Sequence, residues 1–264
     1  MSKRNILVPV DFTSAAVTAT NYALSLAKAL KAEVNLLHIT KSEQDNKKAK
    51  TNFEQFLLKF KDTDVTINTV VKSGDIFVDI ASVAKTLHTS IIVMGTHGAK
   101  GMQKVFGSFA VKVITSTHIP FVIVQDGNKH FTIDKIVLPF DTSKESLQIE
   151  QVVSAIAKFT KSQVKLVAEK YVDSALKIKA SVHYGVMSKQ FKEGGIQYDM
   201  TYLPKLTAKE VVKFAKKEQA DLIAISYYKD TLISFDRFFQ DLITNDEKIP
   251  TIIINSKEAG NYFF

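Results

Sequence analysis

The feature that most constrains this chain is that it repeats itself. Ile6-Leu7-Val8-Pro9-Val10-Asp11 is echoed 130 positions later by Ile136-Val137-Leu138-Pro139-Phe140-Asp141. Glu33-Val34-Asn35-Leu36-Leu37 matches Gln163-Val164-Lys165-Leu166-Val167 at the same offset, as His118-Ile119-Pro120 to Val124 matches Lys248-Ile249-Pro250 to Ile254. A fourth pair, Ser90-Ile91-Ile92-Val93-Met94 against Asp221-Leu222-Ile223-Ala224-Ile225, slips by one residue, as a loop insertion would produce. Length alone leaves 264 residues open to one large domain or two of about 130. The repeat selects two, since self-similarity at one period marks a duplicated structural unit.

Within each copy, short apolar runs rich in Val and Ile alternate with longer segments of helical period. That is the pattern of βαβ units whose strands are buried on both faces. It predicts an α/β fold: two tandem, doubly wound, mainly parallel five-stranded sheets. In the first half strands are expected near 5–10, 33–39, 65–71, 90–95 and 120–125, with helices near 14–30, 43–60, 76–87 and 107–116. The second half is expected to place strands near 134–139, 163–168, 196–202, 221–226 and 250–254, while 171–195 is longer and less regular. Thr13 or Ser14 can cap the first helix, and Ala16, Ala19, Ala23, Leu26, Ala27 and Leu30 form its apolar stripe. Asp126-Gly127-Asn128-Lys129-His130 reads as a short turn-forming linker between domains spanning 1–126 and 131–264.

Composition narrows the class. With 45% apolar and 23% charged residues, the chain can bury a sizeable core and is not a disordered or fibrous protein. Its longest apolar runs, such as 119–124 and 249–254, fall far short of the roughly 20 residues needed to span a bilayer. Lys3 and Arg4 precede Ile6 to Val10, but Asp11 interrupts that run before it reaches the length of a signal-peptide core, so no export signal is expected. The absence of cysteine excludes disulfides, thiolate catalysis and cysteine metal sites, and fits a cytoplasmic location. A formal charge of +8 raises the question of nucleic acid or an anionic membrane. The lysines, however, are interleaved with acids along helical segments, as at Lys209, Glu210, Lys213, Lys216, Lys217 and Glu218, which describes solvated helix faces rather than a basic stripe.

Chemistry concentrates in one place. Four of the ten glycines lie between 95 and 107, in Gly95-Thr96-His97-Gly98-Ala99-Lys100-Gly101-Met102-Gln103-Lys104-Val105-Phe106-Gly107-Ser108. The stretch follows a buried strand and precedes a predicted helix, where backbone amides and a helix N-terminus attract anions. Glycine permits positive φ and a close phosphate approach, and Ser108 can cap the helix and donate to an oxygen. The alternative is that these glycines only shape a tight loop. The spacing is neither that of a Walker loop nor that of the dinucleotide Gly-x-Gly-x-x-Gly. Asp11 ends the first strand on the sheet edge where open α/β sheets bind ligands, so it either accepts from a ribose hydroxyl or base amine, or favours the start of the first helix. The six histidines are dispersed, without a His-x-x-x-His pair or a carboxylate cluster pointing to a metal. Neither a Gly-x-Ser-x-Gly elbow nor a Cys-His pair supports nucleophilic catalysis, so no catalytic residue is assigned. His97 lies in the loop, and His38 is expected only to end a strand.

The strand-Pro-x-Asp opening, Leu-Leu-His-Ile in the second strand, and Met-Gly-Thr-His-Gly followed by Gly-Ser resemble the universal stress protein family in its tandem two-domain form. The resemblance implies an adenine nucleotide alpha hydrolase-like fold. It also implies a cytoplasmic, stress-associated regulatory protein that binds ATP or AMP, with Mg accompanying ATP. By that resemblance Gly95, Gly98, Gly107, Ser108 and the backbone of Phe109 hold phosphates. Asp11 and Ile39 flank the ribose and adenine, and Pro9 and Val10 line the base pocket. Eight residues separate Gly98 from Gly107, one fewer than in the family's pattern. In the second half Ser226-Tyr227-Tyr228-Lys229 replaces the first glycines, and Arg237-Phe238 stands near the place of Gly-Ser. That half is therefore expected to be a degenerate partner. A slow ATPase and a nucleotide-free interaction protein are the other functions that fit. The resemblance also implies pairing of the last strands, 120–124 with 250–254, as a pseudo-dimer within one chain, with further self-association open. An unidentified protein partner is expected, and neither nucleic acid nor membrane.

Overall fold

Strands that are apolar on every residue have to be covered on both faces, and that requirement shapes both halves. A computed structural model describes residues 4–97, 113–114, 116–227 and 234–256. The chain divides into two compact units with the boundary between Phe131 and Thr132.

The first unit contains β1 (Arg4–Pro9), α1 (Ser14–Leu30), β2 (Ala32–Thr40), α2 (Asn46–Leu57), β3 (Ile67–Ser73), α3 (Ile76–Thr86), β4 (Thr89–Thr96) and β5 (Phe121–Gln125). Its strands are parallel and ordered β3-β2-β1-β4-β5. The second contains β6 (Lys135–Pro139), α4 (Ile149–Thr160), β7 (Gln163–Glu169), α5 (Ser174–Glu193), β8 (Tyr198–Leu203), α6 (Ala208–Glu218), β9 (Leu222–Tyr227), α7 (Ser234–Ile243) and β10 (Thr251–Asn255). Its parallel order, β8-β7-β6-β9-β10, is the same winding. Among the described residues no helix is long and apolar enough to cross a membrane.

The registers repeat as the sequence does. Val8 faces Leu36 and, 130 residues on, Leu138 faces Leu166. Ile6 faces Ile91, whereas Ile136 faces Leu222, so the fourth strand of the second unit is displaced by one further residue. The third strand already carries that displacement, since Leu36 pairs with Thr69 and Leu166 with Met200. The extra residue therefore lies between β7 and β8. The last strand returns to the original offset, with Ile92 facing Phe121 and Ile223 facing Thr251.

Helix α1 shows how local chemistry sets the packing. Thr13 caps it in an extended conformation, and Lys31 ends it in the left-handed region at φ 53°. Between them Ala16, Ala19, Ala23 and Ala27 are buried and let the helix lie close to the sheet. The expected span 14–30 matches this helix. The segment 43–60 instead divides into a 3-10 turn, α2 and a second 3-10 turn. The edge strands β3 and β8 start two residues later than expected, because their outward residues are polar and leave the apolar pattern weak. The irregular segment 171–195 contains the 20-residue helix α5. Most of the expected helix 107–116 lies outside the described residues.

Candidate functional site

The site is built where β1 ends. Pairing continues one residue beyond the strand, because Val10 N–H donates to the Leu37 carbonyl at 2.7 Å. The Val10 carbonyl in turn accepts from His38 Nδ1 at 2.6 Å. A carbonyl can only accept, so this bond requires the proton on Nδ1. Asp11 Oδ1 accepts from the Thr13 backbone N–H at 3.0 Å and from the Thr13 hydroxyl at 2.6 Å, closing the turn into α1. The carboxylate thus has a local structural role at the helix entrance, and it also faces a cavity.

Between Asp11 and that turn, Phe12 adopts φ 65°, a left-handed conformation rare for a bulky residue. Its ring is held by a cluster: His38 lies 4.6 Å away, Phe53 5.0 Å and Phe56 5.8 Å between centroids. Aromatic packing from β2 and α2 thus maintains a backbone conformation that costs about 1–3 kcal/mol.

Gly95, near the end of β4, is needed for a different reason. A Cβ there would stand 2.2 Å from the Ala15 carbonyl oxygen and 2.5 Å from its carbon, so backbone meets backbone between β4 and the first turn of α1. Just beyond, Asp126 gathers the start of α1 and the start of the glycine-rich segment. It accepts from Ser14 Oγ at 2.5 Å and Thr18 Oγ1 at 3.2 Å, and lies 3.5 Å from His97 Nδ1. Partial burial pushes its carboxyl up, but the bonds from Ser14, Thr18 and the Gly127 backbone, with His97 nearby, hold it below the usual aspartate range. His97, considered above only as a loop residue, is therefore engaged by Asp126.

Five of the residues expected from the sequence, Pro9, Val10, Asp11, Ile39 and Gly95, line one cavity of about 160 Å³. His38, Ile76 and Met94 line it as well. Sequence reasoning assigned none of these three to the site. His38 carried a signal in the Leu-Leu-His-Ile run, where an imidazole interrupts an otherwise apolar strand. Gly98, Gly107, Ser108 and Phe109 lie outside the described residues.

The cavity sits at the carboxyl ends of β1, β2 and β4, where the winding reverses between β1 and β4, the usual ligand position of open α/β sheets. The profile of the universal stress protein family matches residues 3–125. Over that segment, the chain is similar to the universal stress protein family. A universal stress protein of Methanocaldococcus jannaschii is 26% identical over 143 residues, covering 48% of this chain and 84% of that protein. The crystal structure of a universal stress protein from Archaeoglobus fulgidus DSM 4304 superposes with a TM-score of 0.75 at 17% identity, covering 97% of this chain and all of that one (100%). A functionally unknown protein from Pseudomonas aeruginosa PAO1 gives 0.65 at 15% identity, covering 96% and 93%. At those identities the likeness is one of fold, and it extends over both units.

Proposed function

We propose that the first unit binds an adenine nucleotide, ATP or AMP, and that the protein is a cytoplasmic, stress-associated regulatory module acting through that binding. The observation that carries this reading is the convergence of Pro9, Val10, Asp11, Ile39 and Gly95 on one cavity at the point where the sheet winding reverses. About 160 Å³ is below the roughly 300–1,000 Å³ of pockets that enclose a drug-sized molecule. It suits the base of a nucleotide, with ribose and phosphates outside. In this reading adenine packs on Val10, Ile39 and Met94. Asp11 keeps Oδ1 on Thr13 and offers Oδ2 to a ribose hydroxyl. The phosphates, with Mg when the ligand is ATP, extend toward Gly98, Gly107, Ser108 and the backbone of Phe109.

Isothermal titration of the full chain with ATP and with AMP tests this. Heat of binding is expected for both. Ile39→Glu places a carboxylate against the base and is expected to weaken both by about tenfold or more, equivalent to about 1.4 kcal/mol. Gly107→Phe is expected to affect ATP more than AMP. No heat with the unmodified chain overturns the reading.

A further inference from the structure

The second unit retains a cavity at the same place in its sheet, of about 320 Å³, with a different chemical character. Its floor is Pro139, Phe140 and Asp141, which stand where Pro9, Val10 and Asp11 stand in the first unit. The local scaffold is rebuilt with different residues. Phe140 N–H donates to the Val167 carbonyl at 2.9 Å, Asp141 Oδ1 accepts from the Ser143 backbone N–H at 2.8 Å, and the Asp141 carbonyl accepts from His183 Nδ1 at 2.9 Å. Helix α5 thus supplies an imidazole to the carbonyl one residue beyond the counterpart of the one that His38 of β2 engages in the first unit. Such support is consistent with a maintained pocket rather than a filled one.

Two substitutions change what that pocket can accept. Glu169 occupies the position of Ile39, putting a second carboxylate on the wall beside Asp141. The Leu206 backbone N–H donates to Glu169 Oε2 at 3.1 Å and fixes the side chain. Ser226 occupies the position of Gly95. It is 8% exposed, it lines the cavity, and its buried Oγ has no hydrogen-bond partner among the described residues. A buried hydroxyl without a partner loses the free energy of its missing hydrogen bond, which a polar group entering the cavity would restore. Tyr171 and Phe238 add aromatic surface. Burial, and then the charges of Asp141 and Glu169, push the Tyr171 phenol up, so it remains a neutral donor. Among the described residues no lysine or arginine lines the cavity.

We propose that this second cavity is a binding site for a small organic amine, held as its cation by Asp141 and Glu169, with Ser226 and Tyr171 as hydrogen-bonding partners and Phe238 against its apolar part. Two carboxylates on the wall disfavour phosphate and attract an ammonium group, and an aromatic face adds cation–π attraction. The volume falls at the lower end of the range for small-molecule pockets, so the ligand is compact. The second cavity thus carries two carboxylates on its described wall where the first carries one.

The test uses the full chain and a panel of tyramine, agmatine and spermidine, with 3-(4-hydroxyphenyl)propanoate as the anionic counterpart of tyramine. Ligand-observed NMR and titration calorimetry are expected to detect at least one amine and not the propanoate. Glu169→Gln keeps the shape and an acceptor for Leu206 N–H, and is expected to weaken that amine about tenfold with an unchanged circular dichroism spectrum. Ser226→Ala provides a second variant, expected to weaken the same amine severalfold. Failure of every amine to bind, binding of the propanoate as tightly as tyramine, or an unchanged amine affinity in both variants overturns the proposal.

Discussion

A missing side chain and a buried one carry much of the argument at the scale of single residues. Gly95 stands against the backbone of Ala15, with no room for a methyl group. Overpacking of this kind costs about 1–3 kcal/mol, so Gly95→Ala is expected to lower the urea midpoint correspondingly without ligand present. A purely phosphate-contacting glycine would leave the unliganded stability unchanged. Glu150, 2% exposed on α4, behaves in the opposite sense to a surface acid. Burial raises its pKa, outweighing the hydrogen bond from Ser154 and the charge of Lys158. The folded state therefore holds this proton to higher pH than the unfolded chain does. Stability is lost as pH rises from the ordinary glutamate range through the raised folded value, and stays lower above it. Glu150→Gln removes that cost. It is expected to stabilise the protein by on the order of 1 kcal/mol at neutral pH, with the gain disappearing near about pH 4 in paired denaturation curves.

Elements bring the site residues to their places. Helix α3 begins beside the first cavity because Asp75 caps it, its Oδ1 accepting from Phe77 N–H at 2.8 Å and Val78 N–H at 3.3 Å. Ile76 is thereby presented to the base pocket. Asp75→Ala is expected to cost about 1 kcal/mol of stability and to weaken AMP binding through loss of the Ile76 wall, both measurable in one calorimetric series. Helix α5 shows where sequence patterns stop being readable. Its buried residues Ala180, His183, Met187 and Phe191 follow one stripe, while Ile178, Val182 and Val186 form an exposed stripe on another face. Two apolar stripes blur the period of 3.6 on which a helix assignment depends. Helix α1, with its single alanine-rich stripe, was legible to the residue.

For the molecule as a whole, the two units share strand order and register but not the lining of their cavities. Ligands that favour the folded state raise stability by mass action, by about 2.7 kcal/mol at a hundredfold excess over Kd. On the proposed assignments, differential scanning calorimetry is expected to show ATP raising one component of unfolding and an effective amine raising the other. A single transition moved equally by either ligand would contradict independent sites. The number and parallel winding of the strands were readable from the chain alone, because runs such as Ile6–Val8 and Ile252–Ile254 record burial locally and the 130-residue offset records the duplication, whereas their order across the sheet was not. The convergence of Asp11 and Ile39 on one cavity was accessible through family resemblance. The tertiary structure alone decided that Gly95 is held by backbone contact with Ala15, that His38 and His183 reach neighbouring carbonyls at the ends of β1 and β6 from unrelated elements, and that Glu169 and Ser226 face one cavity. Those relations join residues tens of positions apart through space, and local periodicity carries no record of which side chains meet there.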